Sequence, residues 1–556
     1  MHTPTTGTQR ALLRTLALGL TLFIVLFLQF RAQIFNHFSV LYGDRYDAAI
    51  MTTILEHWSN VMRGESPWSQ LYYFYPYTKT LGHTDGYFLL GLIYAAIRPF
   101  GFDPFLTTEL TNVVLKMIGF AGFFAVSRQM FRLPFWTSVL AAALFTLSNS
   151  LTVHGQRLQL ATVAFAPIVA LLMWHAVRAL YEERRHRFMG FGAAAGILLG
   201  AWSITCFYMT WFFIFFTTFL FFFLVVGASR MERKELAGRI VRQKIEVAVV
   251  ALVAIASLLP LLTVYLAKSQ ETGMRPIETV LGNTVPLQGI LQVGNENLLF
   301  GKIYNRFLAF VSPGYAPNGE YYNTGVAPLL FIFFVFGYLY IARKIKQGEP
   351  LFSGPLLRAA CLATLVTWLC SLNVGGHSAW TLVYSFFPGA RALSVVSAYQ
   401  IFLIFPVLII AGCYLASSKL RLSMLCVVAA LLVVEEINDG YIALVRADEV
   451  KRIDVPPPPR ECNVFFASGW NQQATTTPMS EWINNHYAHN VTAMLVAELH
   501  HIPTINGVAS FNPRDWNFEN PNAPDYHQRI RDYAQRHGVK NLCRLDLEAK
   551  RWDVQW

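Results

Sequence analysis

From 188 to 227 the chain runs through forty almost uninterrupted apolar positions. A bilayer's hydrocarbon core takes roughly 20 residues of α-helix, so this stretch alone is long enough for two spans. Apolar segments recur at 11–31, 106–127, 136–150, 158–178, 245–267, 325–342, 357–373, 394–416 and 420–437, with a short one at 86–100. No water reaches such segments, so each must satisfy its own backbone, and helices are the spanning elements. Composition agrees. Of 556 residues, 54% are apolar and 14% charged, against roughly a quarter charged in soluble domains. The net charge of +11 is no nucleic-acid footprint, because much of it sits in short clusters beside apolar segments.

Those clusters orient the chain. Arg10 and Arg14 precede a first span that is too long for a cleaved signal and lacks its small-residue site, so the N-terminus is expected in the cytoplasm. The run E-E-R-R-H-R from Glu182, the stretch Arg230 to Lys244, Arg343 with Lys344 and Lys346, and Lys419 with Arg421 mark further cytoplasmic turns. Counting from them puts 268–323, 374–392 and the C-terminal region outside. The two ends disagree over the loop Gly43 to Asp85, which forward counting places outside and backward counting inside. One early segment is therefore no simple crossing, and 86–100 is expected to be a half-span or broken helix buried in protein. No repeated half with paired broken helices, as transporters often carry, is visible.

The expected fold is a polytopic α-helical membrane protein of about 11–13 spans with a small C-terminal α/β exterior domain. The membrane domain covers 1–437, including a functional loop at 32–85, and the exterior domain 438–556. A Pro456–Pro459 linker opens the latter. C-N-V-F-F-A-S reads as a buried strand, S-E-W-I-N-N-H as a helix, and Tyr526 to His537 as another. Cys206, Cys361, Cys370, Cys413 and Cys426 fall in apolar spans, whereas Cys462 and Cys543 stand in the polar region and fit one disulfide in an oxidising compartment. The N-V-T triplet at Asn490 is a sequon, with meaning only in a host that glycosylates there.

The loop after the first span concentrates the polar chemistry: Asp44 and Asp47, Glu56 with His57, then His83 and Asp85. Charges beside hydrocarbon are expensive, so such a cluster marks a functional site. Ile50, Ile54, Leu55, Trp58 and Met62 recur at helical spacing, which predicts an amphipathic helix at the membrane–water boundary, capped by Asp44 or Asp47 and stopped at Gly64. Tyr72, Tyr73, Phe74, Tyr75 and Tyr77 read as an interfacial aromatic belt or as a platform for a sugar or isoprenoid.

Five motifs in register give the chain a resemblance to the GT-C superfamily of integral-membrane glycosyltransferases, in particular its bacterial YfhO-like branch. They are G-D-x-x-D with I-x-E-H (Gly43, Asp44, Asp47, Ile54, Glu56, His57), and Y-P-Y followed by His83 and Asp85. They continue with the hairpin turn bearing Ser148, His154, Gln156 and Gln159, then F-P-G-A-R-A-L around Arg391, and the exterior P-T-I-N-G-V-A-S. Arg45–Tyr46 and Val508–Ala509 depart from the pattern.

The resemblance implies an inverting hexosyl- or pentosyltransferase of the bacterial cytoplasmic membrane. It moves a sugar from a polyprenyl-phosphate donor to a glycan, lipid or protein acceptor at the outer face. A transporter or flippase of lipid-linked glycans, or a non-catalytic envelope scaffold, is the rival reading. An acceptor hydroxyl needs a base, for which Asp44 is the candidate unless it only caps the following helix. Asp47 is placed to orient Asp44, to bind a divalent cation such as Mg or Mn together with Asp85, or to favour the helix N-terminus. Glu56 and His57 are substrate-binding candidates or a plain polar face. His83, Asp85, His154 and Gln156 complete the substrate-binding set, and Arg391 either grips donor phosphate through its forked donors or snorkels.

Overall fold

The computed structural model describes residues 7–317, 322–348, 354–418, 420–440, 442–469 and 486–555. Among them nine helices are long and apolar enough to cross a membrane, from Thr8–Gln29 to Val396–Ser417. The chain is a polytopic membrane protein. Two further apolar helices, Phe88–Phe100 and Leu422–Glu435, are shorter, and the 13-residue helix Phe135–Leu147 forms the first arm of the 136–178 hairpin. The helix Phe88–Ile97 has ten residues, a rise of about 15 Å at 1.5 Å per residue. That is half a bilayer, the length expected of the 86–100 segment. Val396–Ser417 lies at the centre, its apolar window entirely enclosed by protein.

The forty-residue apolar stretch divides at one residue. Arg185–Thr205 and Phe207–Gly227 are separate helices, and Cys206 between them is extended (φ −151°, ψ 108°). The break frees backbone groups that hydrocarbon would not tolerate. The loop supplies their partners: Gly86 and Tyr87 N–H donate to the carbonyls of Ile204 and Thr205 at 2.9 and 3.0 Å, and the Asp85 carboxylate accepts from Phe207 N–H at 3.1 Å. Gly86 is required there, since a Cβ would stand 2.6 Å from the Ile204 carbonyl oxygen. A second irregularity follows Pro260 in the span Lys244–Thr272, where Leu262–Leu266 widens to a π-turn. Proline removes one ladder bond, and such bulges often sit beside functional cavities.

The helix Asp47–Met62 does not turn a polar face to water. Twelve of its sixteen residues are buried, because the C-terminal helix Ala488–His500 covers the face expected to meet water. The junction is polar and enclosed. Asn60 Nδ2 donates to the Glu498 carbonyl and carboxylate at 2.9 and 3.0 Å, Tyr72 N–H donates to the same carboxylate at 3.0 Å, and His57 Nδ1 lies 3.5 Å from it.

The C-terminal domain pairs Val464–Ser468, buried at every position, in parallel with Leu542–Asp546, which pairs antiparallel with Arg551–Asp553. The helix Tyr526–His537 packs beside them, whereas most of S-E-W-I-N-N-H lies outside the described residues. Cys462 and Cys543 are bonded, with Cα atoms 5.6 Å apart, and stand 81 positions apart in sequence. Closing such a loop is worth roughly 4 kcal/mol of unfolded-chain entropy. Residues 444–453 pack elsewhere: Leu444–Val445 pairs with Val40–Leu41, and Glu449 of the next helix holds buried Arg45 at 3.1 Å.

Two of the resemblance motifs meet here. Thr504 N–H donates to the Tyr72 carbonyl, and Phe74 and Tyr75 N–H donate to Asn506 and Thr504, at 2.7–3.1 Å. Gly507 lets the Phe74 ring in, since a Cβ would be 2.5 Å from it. Tyr73 and Phe74 are fully buried, so these two are docking residues and not members of an interfacial belt. Asn490 is also fully buried, donating to the Phe518 carbonyl at 2.8 Å, which closes the sequon to modification in the folded chain.

Glu498→Ala leaves the Tyr72 N–H without its buried acceptor, takes one of two acceptors from Asn60 and removes the carboxylate beside His57, a loss of about 3 kcal/mol. The variant is expected to melt at lower temperature and to be cut faster by protease near Pro456–Pro459. Glu498→Gln, which retains shape and one acceptor oxygen, should lose less.

Candidate functional site

Three cavities lie where the first loop, the 148–159 turn, the 268–323 loop and the C-terminal domain come together. The middle one, about 220 Å³, is lined by Asp47, Asp85, His154, Arg157, Gln159, Tyr208 and Ser510, among others. A second, about 230 Å³, shares Asp85, Tyr208 and Ser510 with it and is otherwise mostly apolar, walled by Leu261, Leu262, Leu266, Phe207 and Phe511, with Arg275 at its rim. A third, about 320 Å³, has Asp44 in its wall together with Gly43, Val153 and the polar residues Asn295, Glu296 and Asn438.

Local geometry fixes the carboxylates. Gly43 has φ +108°, and a Cβ there would collide with Ala48 and Gln156, so the chain turns tightly and Asp44 begins the helix. Its Oδ1 accepts from Tyr46 and Asp47 N–H at 2.9 and 2.7 Å. Asp44 is thus the helix cap while also facing a cavity. Asp47 Oδ2 accepts from Arg157 Nε at 2.7 Å. Burial, then the charge of Asp47, pushes the Asp44 carboxyl up to about 6, against the opposing pull of the two N–H groups and Arg157. Burial alone lifts Asp85 to about 6, moderated by the Phe207 N–H.

His154 lines the middle cavity and Nδ1 bonds the Ser150 carbonyl at 2.8 Å. Gln156 is buried against Gly43, its Oε1 without a hydrogen-bond partner among the described residues. Four further residues lie outside the three linings. Glu56 accepts from Arg98 at 2.9 Å and Tyr94 at 2.5 Å, and His57 belongs to the Glu498 junction. His83 is enclosed between Phe74 and the exterior domain, its Nδ1 2.6 Å from the Phe511 carbonyl. Burial and then Lys268 lower its pKa to about 4, so it is neutral. Arg391 is exposed, with its guanidinium 5.5 Å from the Tyr384 ring centroid.

Arg45, His57 and His83 are the cationic or imidazole groups nearest the acidic pair in sequence, and none of them meets it. The cation is Arg157, from the distant hairpin turn, and nothing local in the sequence ties it to Asp47, 110 positions away. Arg275 was also missed. Its guanidinium lies 4.1 Å from the Phe511 ring centroid, Nη2 donates to the Ser510 carbonyl at 2.5 Å, and Nε is buried without a hydrogen-bond partner among the described residues. Its main-chain N–H donates to the Arg391 carbonyl, so the F-P-G-A-R-A-L motif supports Arg275 through the backbone.

The donor set does not suit a divalent cation. Asp47 is held by a guanidinium, one oxygen of Asp44 and one of Asp85 are bound to backbone N–H groups, and no three His, Cys, Asp or Glu residues among those described are grouped to hold a metal. Hard cations want several oxygens free to turn toward them.

No family model matches the chain, and no curated protein matches it. Among solved structures it is similar to the apo form of the Archaeoglobus fulgidus oligosaccharyltransferase, with TM-score 0.51 and 13% identity, over 94% of this chain and 69% of that one. A likeness at this identity is one of fold alone, and it agrees with the polytopic helical fold with a small C-terminal α/β domain expected from the sequence.

A resident cation at a hundred times its dissociation constant would add about 2.7 kcal/mol to stability. EDTA-washed protein is therefore expected to melt at an unchanged temperature, with no upward shift on adding Mg or Mn. A chelation-sensitive midpoint restored by either metal would show that the Asp47–Arg157 pair opens to a cation.

Proposed function

We propose that the chain is a membrane glycosyltransferase of the bacterial YfhO-like kind, moving a sugar from a polyprenyl-phosphate donor to an acceptor at the outer face of the cytoplasmic membrane. The observation that carries this reading is an apolar cavity that meets a polar one at Asp85, Tyr208 and Ser510, with Asp47 in the polar wall. A lipid-linked sugar needs a greasy seat for its chain, cationic groups for its phosphate and a base for the acceptor on the far side. Membrane pockets that only store lipid have no use for three half-buried carboxylates. The archaeal oligosaccharyltransferase likeness supports the same chemistry.

In this reading the isoprenoid enters the cavity walled by Leu261, Leu262 and Leu266, and its phosphate meets Arg275. The buried, unpartnered Nε of Arg275 is a donor aimed at an anion, and Arg takes phosphate through two N–H groups. The sugar occupies the middle cavity among Asp85, His154, Gln159 and Tyr208. Asp44 takes the acceptor hydroxyl's proton as its oxygen bonds to the anomeric carbon. The carbon–phosphate-oxygen bond breaks with its electron pair to the phosphate, inverting the anomeric centre. Arg157 holds the Asp47 carboxylate in place, and its positive charge holds Asp44 lower than it would otherwise be. Glu56, His57 and His83 act as supports of the loop, and Arg391 positions Arg275.

Lipid mass spectrometry on the purified protein tests the donor, and a transfer assay with that lipid tests the reaction. Asp44→Asn should lower turnover at least about a hundredfold, the low end for a positioned base, while donor lipid still co-purifies. Near-normal transfer without this carboxylate would end the assignment, and a flippase or scaffold would be indifferent to the change. Since Asp44 works only when ionised, kcat/KM should fall as pH drops below about 6. Arg157→Gln removes a charge that favours the ionised form, so that acid limb should move to higher pH.

A further inference from the structure

The cavity on the acceptor side of Asp44 has a chemistry of its own. Its described lining contains no lysine and no arginine, but two carboxylates, Asp44 and Glu296, and the amides of Asn295, Asn323 and Asn438. Val153 and Ala443 are its aliphatic side chains, and Tyr322 its aromatic one. We infer that this cavity is the acceptor subsite, and that it takes a neutral saccharide rather than an anionic lipid, a polyol phosphate or a polypeptide. The inference rests on the proposed role of Asp44 as base.

The walls are built to hold polar groups still. Gly294, at φ +81°, brings the backbone against Asn323, where a Cβ would stand 2.5 Å from Asn323 Oδ1. Gly440 packs in the same way against Asn438 and the stem of Glu296. Asn438 is immobilised below, donating to Asn149 Oδ1 at 2.8 Å and accepting from Gly440 N–H at 2.8 Å. On the outer side, Asn305 of the helix Gly301–Val311 bridges Asn295 Oδ1 and the Tyr322 hydroxyl. Asn295 and Glu296 are exposed at the mouth, whereas Asn323 and Asn438 are buried at the floor.

Charge and polarity select among acceptors. A phosphate or carboxylate would meet two carboxylates with no compensating cation in the described lining, and burying like charges together is unfavourable. An acyl or isoprenoid chain would find little apolar wall, in contrast to the cavity beyond Asp85. A polypeptide would present its reacting serine or threonine on a short stem and leave the deep amides unmatched. Vicinal sugar hydroxyls donate and accept at once, as amides and carboxylates require, and a tyrosine ring offers a face to a pyranose. A cavity of about 320 Å³ is at the small end for ligand pockets, which suits the terminal residues of a glycan whose remainder extends past Glu296.

Saturation-transfer-difference NMR on the full-length protein in nanodiscs tests this without any donor. The probes are a pool of neutral pyranose oligosaccharides, a Ser/Thr-rich peptide and glycerol phosphate. Signals are expected on saccharide ring protons alone. Glu296→Gln and Asn295→Ala should each weaken that binding about tenfold, the loss of one good hydrogen bond, while Arg275→Ala should not. Saccharide signals indifferent to both changes, absence of saccharide signals, or stronger signals from the peptide or glycerol phosphate would overturn the inference. A chain that binds saccharide in this way yet transfers nothing from a lipid-linked donor would sink the transfer reading and leave a neutral-saccharide site without the acceptor role.

Discussion

Backbone hydrogen bonding beside hydrocarbon is the constraint on which the site depends. A helix that stops inside the protein leaves N–H and C=O groups that no solvent will satisfy. The chain stops one at buried Cys206, and the first loop crosses to repair the break with Gly86, Tyr87 and Asp85. The repair brings an aspartate into a cavity. The same Asp85 carboxylate caps Phe207–Gly227 and faces two cavities. Asp44 has the same double character, with one oxygen on its own helix and a place in a cavity wall.

A loop doing this work must be held from outside. The exterior domain does so through backbone pairing of Tyr72–Tyr75 with Thr504–Asn506 and through the enclosed Glu498 junction. It then reaches over the site with Ser510, which lies in both the middle and apolar cavities, and with Phe511, against which Arg275 rests. The C-terminal hundred residues are thus a wall of the site and not an appended module. The disulfide Cys462–Cys543 ties the start of the central strand to its neighbour, far from the cavities but within the body that carries Ser510.

Electrostatics divide the site along its length. The apolar side ends in Arg275, the middle holds the Asp47–Arg157 pair, and the far side carries amides and carboxylates. A guanidinium clamp between hairpin turn and loop replaces the oxygen-rich arrangement a divalent ion would want. Its partner is fixed in place by the same turn that supplies His154 and Gln159.

Local sequence determined much of this chain. Apolar segments of membrane length, the short 86–100 helix, the Val464–Ser468 strand, the Tyr526–His537 helix and the cysteine pair were all legible, because each depends on hydrophobicity over a short window or on two residues standing apart from the rest. The cluster Asp44, Asp47 and Asp85 was legible too, because charge near hydrocarbon is costly enough to be conspicuous. What faces what was decided only by the tertiary structure. The Asp47–Met62 helix has an amphipathic spacing that reads as interfacial, yet its polar face meets Glu498 and not water, and a period of 3.6 cannot tell a protein partner from solvent. Arg157 and Arg275 carried no local mark, since an arginine in a turn or beside a span is ordinary in sequence. Their roles come from carboxylate, carbonyl and ring partners more than a hundred positions away, and only the folded chain brings such partners within reach.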